Sequence, residues 1–80
     1  MKMMERYKNL NGDSGVVSYE IGIDFIWVVF SDGARYLYTY ARTGARNVDH
    51  MKQLATNGRG LNSFINTNHA VRNGYARKER

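Results

Sequence analysis

The chain has 80 residues, no cysteine, no proline and a formal net charge of +5 at pH 7. That length holds one domain, which buries only roughly 60–65% of the surface its unfolded form exposes, so a deep catalytic cavity beside the core is not expected. Disulfides and thiolate metal sites are excluded, no apolar run approaches the ~20 residues that span a bilayer, and the start, Met1-Lys-Met-Met-Glu-Arg-Tyr-Lys8, has no apolar signal segment, so a soluble, cytoplasmic protein is expected.

Residues 1–14 carry no sustained period and run into the turn cluster Asn11-Gly-Asp-Ser-Gly15. They are expected to form a flexible lead-in, in which Met3, Met4, Tyr7 and Leu10 offer a short helical stripe. Val16 to Ile23 is rich in β-branched residues and reads as a first strand, with Asp24 in the turn after it. Phe25-Ile-Trp-Val-Val-Phe30 is apolar at every position and reads as a second strand, either buried on both faces or with one face in the core and the other against a partner. Gly33 to Tyr40 alternates aromatic and other residues and reads as a third strand. Residues 41–46 read as a loop, and Asn47 as the cap of a helix with Val48, Met51, Leu54 and Ala55 on its inner face. Asn57-Gly58 supplies a left-handed stop. Leu61, Phe64 and Ile65 mark a second helix, Asn73-Gly74 breaks it, and residues 71–80 form a basic tail. The predicted fold is α+β: a three-stranded antiparallel β-meander with two short C-terminal helices packed on one face, over residues 15–70.

The turn between Phe30 and Ala34 permits two registers. A two-residue Asp32-Gly33 turn sets Val29 opposite Tyr36 and Trp27 opposite Tyr38; a three-residue Ser31-Asp32-Gly33 turn sets Val28 opposite Tyr36 and Ile26 opposite Tyr38. A slip of one residue exchanges the sheet faces. The three-residue turn is preferred because it collects Ile26, Val28, Phe30, Tyr36 and Tyr38 under the helices. Phe25, Trp27, Val29 and Leu37 are then left on the second face as a candidate partner interface, with Arg35 and Thr39 beside them.

Charge is unevenly spread. Residues 1–34 hold three cations and five carboxylates, a net −2, whereas residues 35–80 hold nine cations and two carboxylates, a net +7. A basic half attracts phosphate backbones or an anionic protein surface. Arg35, Arg42, Arg46, Lys52 and Arg59 are the candidate nucleic-acid contacts, and arginines interleaved with aromatics suit stacked bases.

Catalytic and metal chemistry have little support. His50 and His69 lack a second ligand at i+3 or i+4, and His50 is expected on the exposed side of its helix. Asp24 and Asp32 sit at turns, where Asp is common for backbone reasons. No serine lies in a Gly-x-Ser-x-Gly elbow. Gly58-Arg-Gly60 is too short for a phosphate-binding loop, although a helix start beside Arg59 is able to hold one phosphate. The expectation is a non-enzymatic protein without cofactor or metal.

Phe30, Gly33, Tyr36 and Tyr38 fall at the spacing Phe-x-x-Gly-x-x-Tyr-x-Tyr, and Gly58-x-x-Leu61-Asn62-x-x-Ile65 follows downstream. Together with Ile21-Gly-Ile-Asp24, these segments resemble the KTSC domain, a small bacterial module named for its place at the C-terminus of some lysyl-tRNA synthetases. The resemblance spans roughly residues 16–66. Leu61 stands where the family usually has an aromatic, and the 41–46 loop lacks a proline often found there. The family has no established activity; its attachment to a synthetase implies RNA binding. Two readings follow: a binding module for RNA or single-stranded nucleic acid, or a protein-interaction or self-association module that uses Phe25, Trp27, Val29 and Leu37.

Overall fold

A computed structural model describes residues 4–10, 12 and 14–80. The fold is built outward from one hairpin. Strand β3 (Phe25–Phe30) pairs antiparallel with β4 (Arg35–Thr39), with Val28 opposite Tyr36 and Ile26 opposite Tyr38. This is the register of the three-residue turn. The Phe30 amide donates to the Ala34 carbonyl at 2.9 Å, and the Gly33 amide donates to the Phe30 carbonyl at 2.9 Å. Gly33 takes φ +90°, open to glycine at little cost, and the Asp32 carboxylate accepts from the Ala34 amide at 3.0 Å.

On its other side β3 pairs with β2 (Val16–Ile21), with one irregularity in register between Val16 and Ser18. The turn joining them closes through the Gly22 amide and the Phe25 carbonyl, 2.9 Å apart. A Cβ on Gly22 would lie 2.0 Å from the Phe25 ring, so any other residue there displaces that ring.

The sheet has five strands among the described residues, not the expected three. Strand β1 (Glu5–Arg6) pairs with β2, and β5 (Arg77–Glu79) pairs with β4, both antiparallel, in the spatial order β1-β2-β3-β4-β5. The added strands come from segments read as lead-in and tail. Strands of two and three residues show no side-chain period, and their backbone hydrogen bonds are indifferent to side-chain identity. The helical stripe expected over Met3, Met4, Tyr7 and Leu10 is not formed: Met3 lies outside the described residues, Tyr7 is buried, and Met4 and Leu10 are exposed. The Tyr7 amide donates to the Val17 carbonyl at 2.9 Å, and its hydroxyl accepts from the Leu61 amide at 3.3 Å. Residue 7 thereby clamps the sheet to the helices.

Among the described residues four helical segments replace the expected two: α1 (Tyr40–Thr43), α2 (Ala45–Asn57), α3 (Leu61–Thr67) and α4 (His69–Arg72). The 41–46 stretch is not a simple loop. Thr39 caps α1 by accepting from the Arg42 amide at 3.1 Å. Gly44, at φ +100°, separates α1 from α2, and Asn47 is not the cap, since its side-chain amide donates back to the Thr43 carbonyl at 3.0 Å. Gly58 does end α2, at φ +81°, with its amide donating to the Leu54 and Ala55 carbonyls. Asn68 divides α3 from α4 and caps the latter by accepting from the Val71 amide.

Val48, Met51 and Ala55 of α2, Leu61 and Ile65 of α3, and Val71 of α4 cover Ile26, Val28 and Tyr38 of the sheet. Tyr36, expected to be buried with Tyr38, is half-buried. Phe30 and Tyr75 meet its ring edge-on at 5.5 and 5.1 Å, and the Lys78 ammonium lies 5.4 Å above it. Among the described residues no helix is long and apolar enough to cross a membrane.

Tyr38 is the largest fully buried side chain among the described residues. Tyr38→Ala should cost about 3–5 kcal/mol, comparable with the whole stability of a domain this small, and leave the chain largely unfolded. Leu37→Ala, one residue away on the other face, should cost clearly less. Urea unfolding of the two variants checks the ranking.

Candidate functional site

Alternation along the strands sends every second side chain to the face that no helix covers among the described residues. Phe25, Trp27 and Val29 of β3 reach it, as do Arg35, Leu37 and Thr39 of β4. The flanking strands add charge. One cross-strand row reads Arg6, Ser18, Val29, Arg35, Glu79; the next reads Glu20, Trp27, Leu37, Arg77. All four candidate interface residues, Phe25, Trp27, Val29 and Leu37, thus share this face, and each is half-buried.

Long charged side chains supply part of that cover. The Arg35 guanidinium lies 5.5 Å above the Trp27 ring and pairs with Glu79. Glu79 also forms an ion pair with Arg77, Nε lying 2.9 Å from its carboxylate. A cation over an exposed indole contributes roughly 0.5–1 kcal/mol, and a surface ion pair about 0–1 kcal/mol. Neither holds Arg35 in place against a better-fitting partner, so the apolar row beneath it can be uncovered at small cost.

The five basic candidates do not converge. Arg35 lies on the open sheet face, while Arg42 (α1), Arg46 and Lys52 (α2) and Arg59 (the α2–α3 turn) lie on the helical side. Arg46 lies in the first turn of α2 and Arg59 just past its end, so roughly 16 Å of helix separates them at 1.5 Å per residue. Lys52 is engaged: its ammonium donates to the Ile23 carbonyl at 3.2 Å and the Tyr40 hydroxyl at 3.3 Å, and sits 4.0 Å from Asp49. It braces α2 against the β2–β3 turn. Arg46 shares a shallow recess with Asp49, His50 and Gln53. Arg59 lines a small polar recess of about 120 Å³ with Tyr7, Asn9, Ser14, Gly60, Asn62 and Ser63.

The histidines stand apart. His50 is exposed and meets the Phe64 ring edge-on at 4.7 Å, and His69 Nδ1 lies 3.2 Å from the Asn73 side-chain amide. Among the described residues no group of three or more metal-ligating side chains gathers.

Sequence reasoning missed Arg6, Glu20, Arg77 and Glu79 as members of the open face. Glu20 was placed on a strand without being assigned to this surface. The other three needed the terminal strands, which no periodicity announced.

The Tyr40 hydroxyl donates to Asp49, and this bond is the main reason its pKa rises above the ordinary value of 10.0, with burial and the charges of Asp49 and Asp24 adding to it. The protonated hydroxyl is favoured by folding, so the interaction stabilises below the ordinary pKa and is lost as pH rises through the raised one. Asp49→Asn should lower the Tyr40 pKa, followed by ring chemical shifts across an alkaline titration. No protein family, curated protein or solved structure matches the chain.

Proposed function

We propose that the chain is a non-catalytic protein-interaction module that works through the open face of its sheet, with Trp27 as the central anchor. The observation that carries this reading is the uncovered row of Trp27 and Leu37, flanked by Phe25 and Val29 and rimmed by Arg35, Arg77, Glu20 and Glu79. Tryptophan and arginine are the side chains that most often dominate binding energy, and a polar rim around an apolar centre is the usual anatomy of an interface. A cytoplasmic setting belongs to the same proposal, since a chain without cysteine needs no oxidising compartment.

The resemblance to KTSC domains stands beside this reading as a proposal about fold rather than chemistry. Its support lies in where the shared residues sit: Tyr38 and Ile65 are buried, and Gly58 takes a left-handed φ. These positions serve packing and backbone geometry.

Single-stranded nucleic acid is the second reading, favoured by the net charge of +5 and by the Arg35–Trp27 stack, where a base is able to replace the guanidinium. Its weakness is the scatter of the basic candidates over both sides of the molecule.

Two measurements separate the readings. Trp27→Asp should keep the far-UV spectrum and cooperative unfolding of the parent, because Trp27 lies outside the core, while immobilised protein carrying it should lose the proteins that the parent retains. Labelled single-stranded RNA and DNA should show no binding at micromolar protein in low salt. Tight binding that falls steeply with salt and is lost in Trp27→Ala would replace the first reading with the second.

A further inference from the structure

We infer that the occupant of the open face is a second copy of this chain, packed face to face about a two-fold axis that runs parallel to the strands between β3 and β4. The inference rests on the reading of that face as an interaction surface and adds the identity of the partner. Its warrant is the order of charges across the sheet. The row Glu20, Trp27, Leu37, Arg77 has a carboxylate at one end, a guanidinium at the other and two large apolar groups between them.

Rotation about this axis exchanges β3 with β4 and β2 with β5, so the row meets its own reverse. Trp27 of each copy then lies over Leu37 of the other, and Glu20 of each over Arg77 of the other. The neighbouring pairs follow the same rule: Phe25 faces Thr39, and Val29 faces the aliphatic stem of Arg35. The axis passes through the middle of the apolar patch and keeps the strand axes of the two copies aligned, each β3 lying antiparallel over the other copy's β4, as in sheets that pack aligned within about 30°. Surfaces of this kind are isologous, each patch being its own complement.

Electrostatics favour this occupant over a polyanion. Glu20 has no ion-pair partner among the described residues, and Arg77, with its side chain 66% exposed, shares Glu79 with Arg35. A phosphate backbone laid on the face would press negative charge against Glu20 and Glu79. A reversed copy brings Glu20 a cation and Arg77 a second anion.

Sedimentation equilibrium from about 1 µM to 1 mM, the span in which weak dimers dissociate, tests the arrangement. The parent chain should dimerise, and Glu20→Arg or Arg77→Glu alone should weaken the dimer about tenfold or more, since each places like charges together twice. An equimolar mixture of the two variants should associate again as a heterodimer, because both inter-copy pairs are then opposite in sign. Restoration on mixing does not follow from a local effect of either substitution on its own chain.

A parent chain that stays monomeric at 1 mM overturns the inference, as do single variants that dimerise like the parent. If the parent is monomeric yet retains another protein through a Trp27-dependent contact, the face is an interaction surface for a different chain: this inference fails and the proposed function survives. If the parent is monomeric and Trp27→Asp changes no retained protein, both fail.

Discussion

Gly33 holds a φ of +90°, and the pairing of β3 with β4 follows from the turn it closes. The two hydrogen bonds between Phe30 and the far side of this turn allow three residues in the loop and set Val28 against Tyr36. Every later feature inherits that choice. With one residue fewer in the turn, Tyr36 and Tyr38 would pass to the other face relative to Ile26 and Val28. The helices would then meet a surface split between aromatics on one strand and the wrong alternate residues on its neighbour. A single dihedral angle thus decides which apolar groups become core and which remain outside.

The apolar content of β3 makes this choice consequential. A half-covered sheet ordinarily alternates apolar and polar residues, so its outer face is polar once the proper register forms. Here Phe25, Trp27 and Val29 occupy the outer positions of the central strand. Arg35 lies over Trp27 without being fixed there, and both it and Arg77 pair with one carboxylate, Glu79. The core below is closed independently by Tyr38, Met51, Leu61 and Val71 and by the Tyr7 hydroxyl on the Leu61 amide. Stability and the outer surface are therefore separable, and substitutions on that surface should leave the core intact.

The hairpin, its register and both main helices were legible because their side chains repeat at the period of the element. Val48, Met51 and Ala55 recur at helical spacing, and Ile26 and Val28 alternate. The terminal strands were not legible. Glu5–Arg6 and Arg77–Glu79 contain no apolar residue to mark a buried face, and they are held by main-chain groups. The apolar half of the candidate face, Phe25, Trp27, Val29 and Leu37, could accordingly be read in advance, whereas most of its charged rim could not. The start of α2 was misread because Asn47 looked like a cap. Gly44 precedes it with a backbone angle that ends one helix and begins the next, which left the Asn47 side chain to bond back to Thr43. Tyr36 was misjudged for a related reason: Tyr75, from the tail, and not a helix, completes its surroundings.

The strand order across the sheet is also the order along the chain. β2, β3 and β4 are joined by short turns, so their closure costs little loop entropy and belongs to the fast class of local contacts. The β4–β5 pair instead encloses the whole helical segment and requires α1 through α4 to be in place. Loop-closure entropy therefore predicts that β5 docks after the β2–β3–β4 meander. Arg77 and Glu79 travel with β5, so the outer face acquires its full charge pattern only in a chain that has already folded. Incomplete chains present Trp27 and Leu37 without the Arg77 and Glu79 rim, and their collisions lack the charge register that distinguishes a folded copy from an unfolded one.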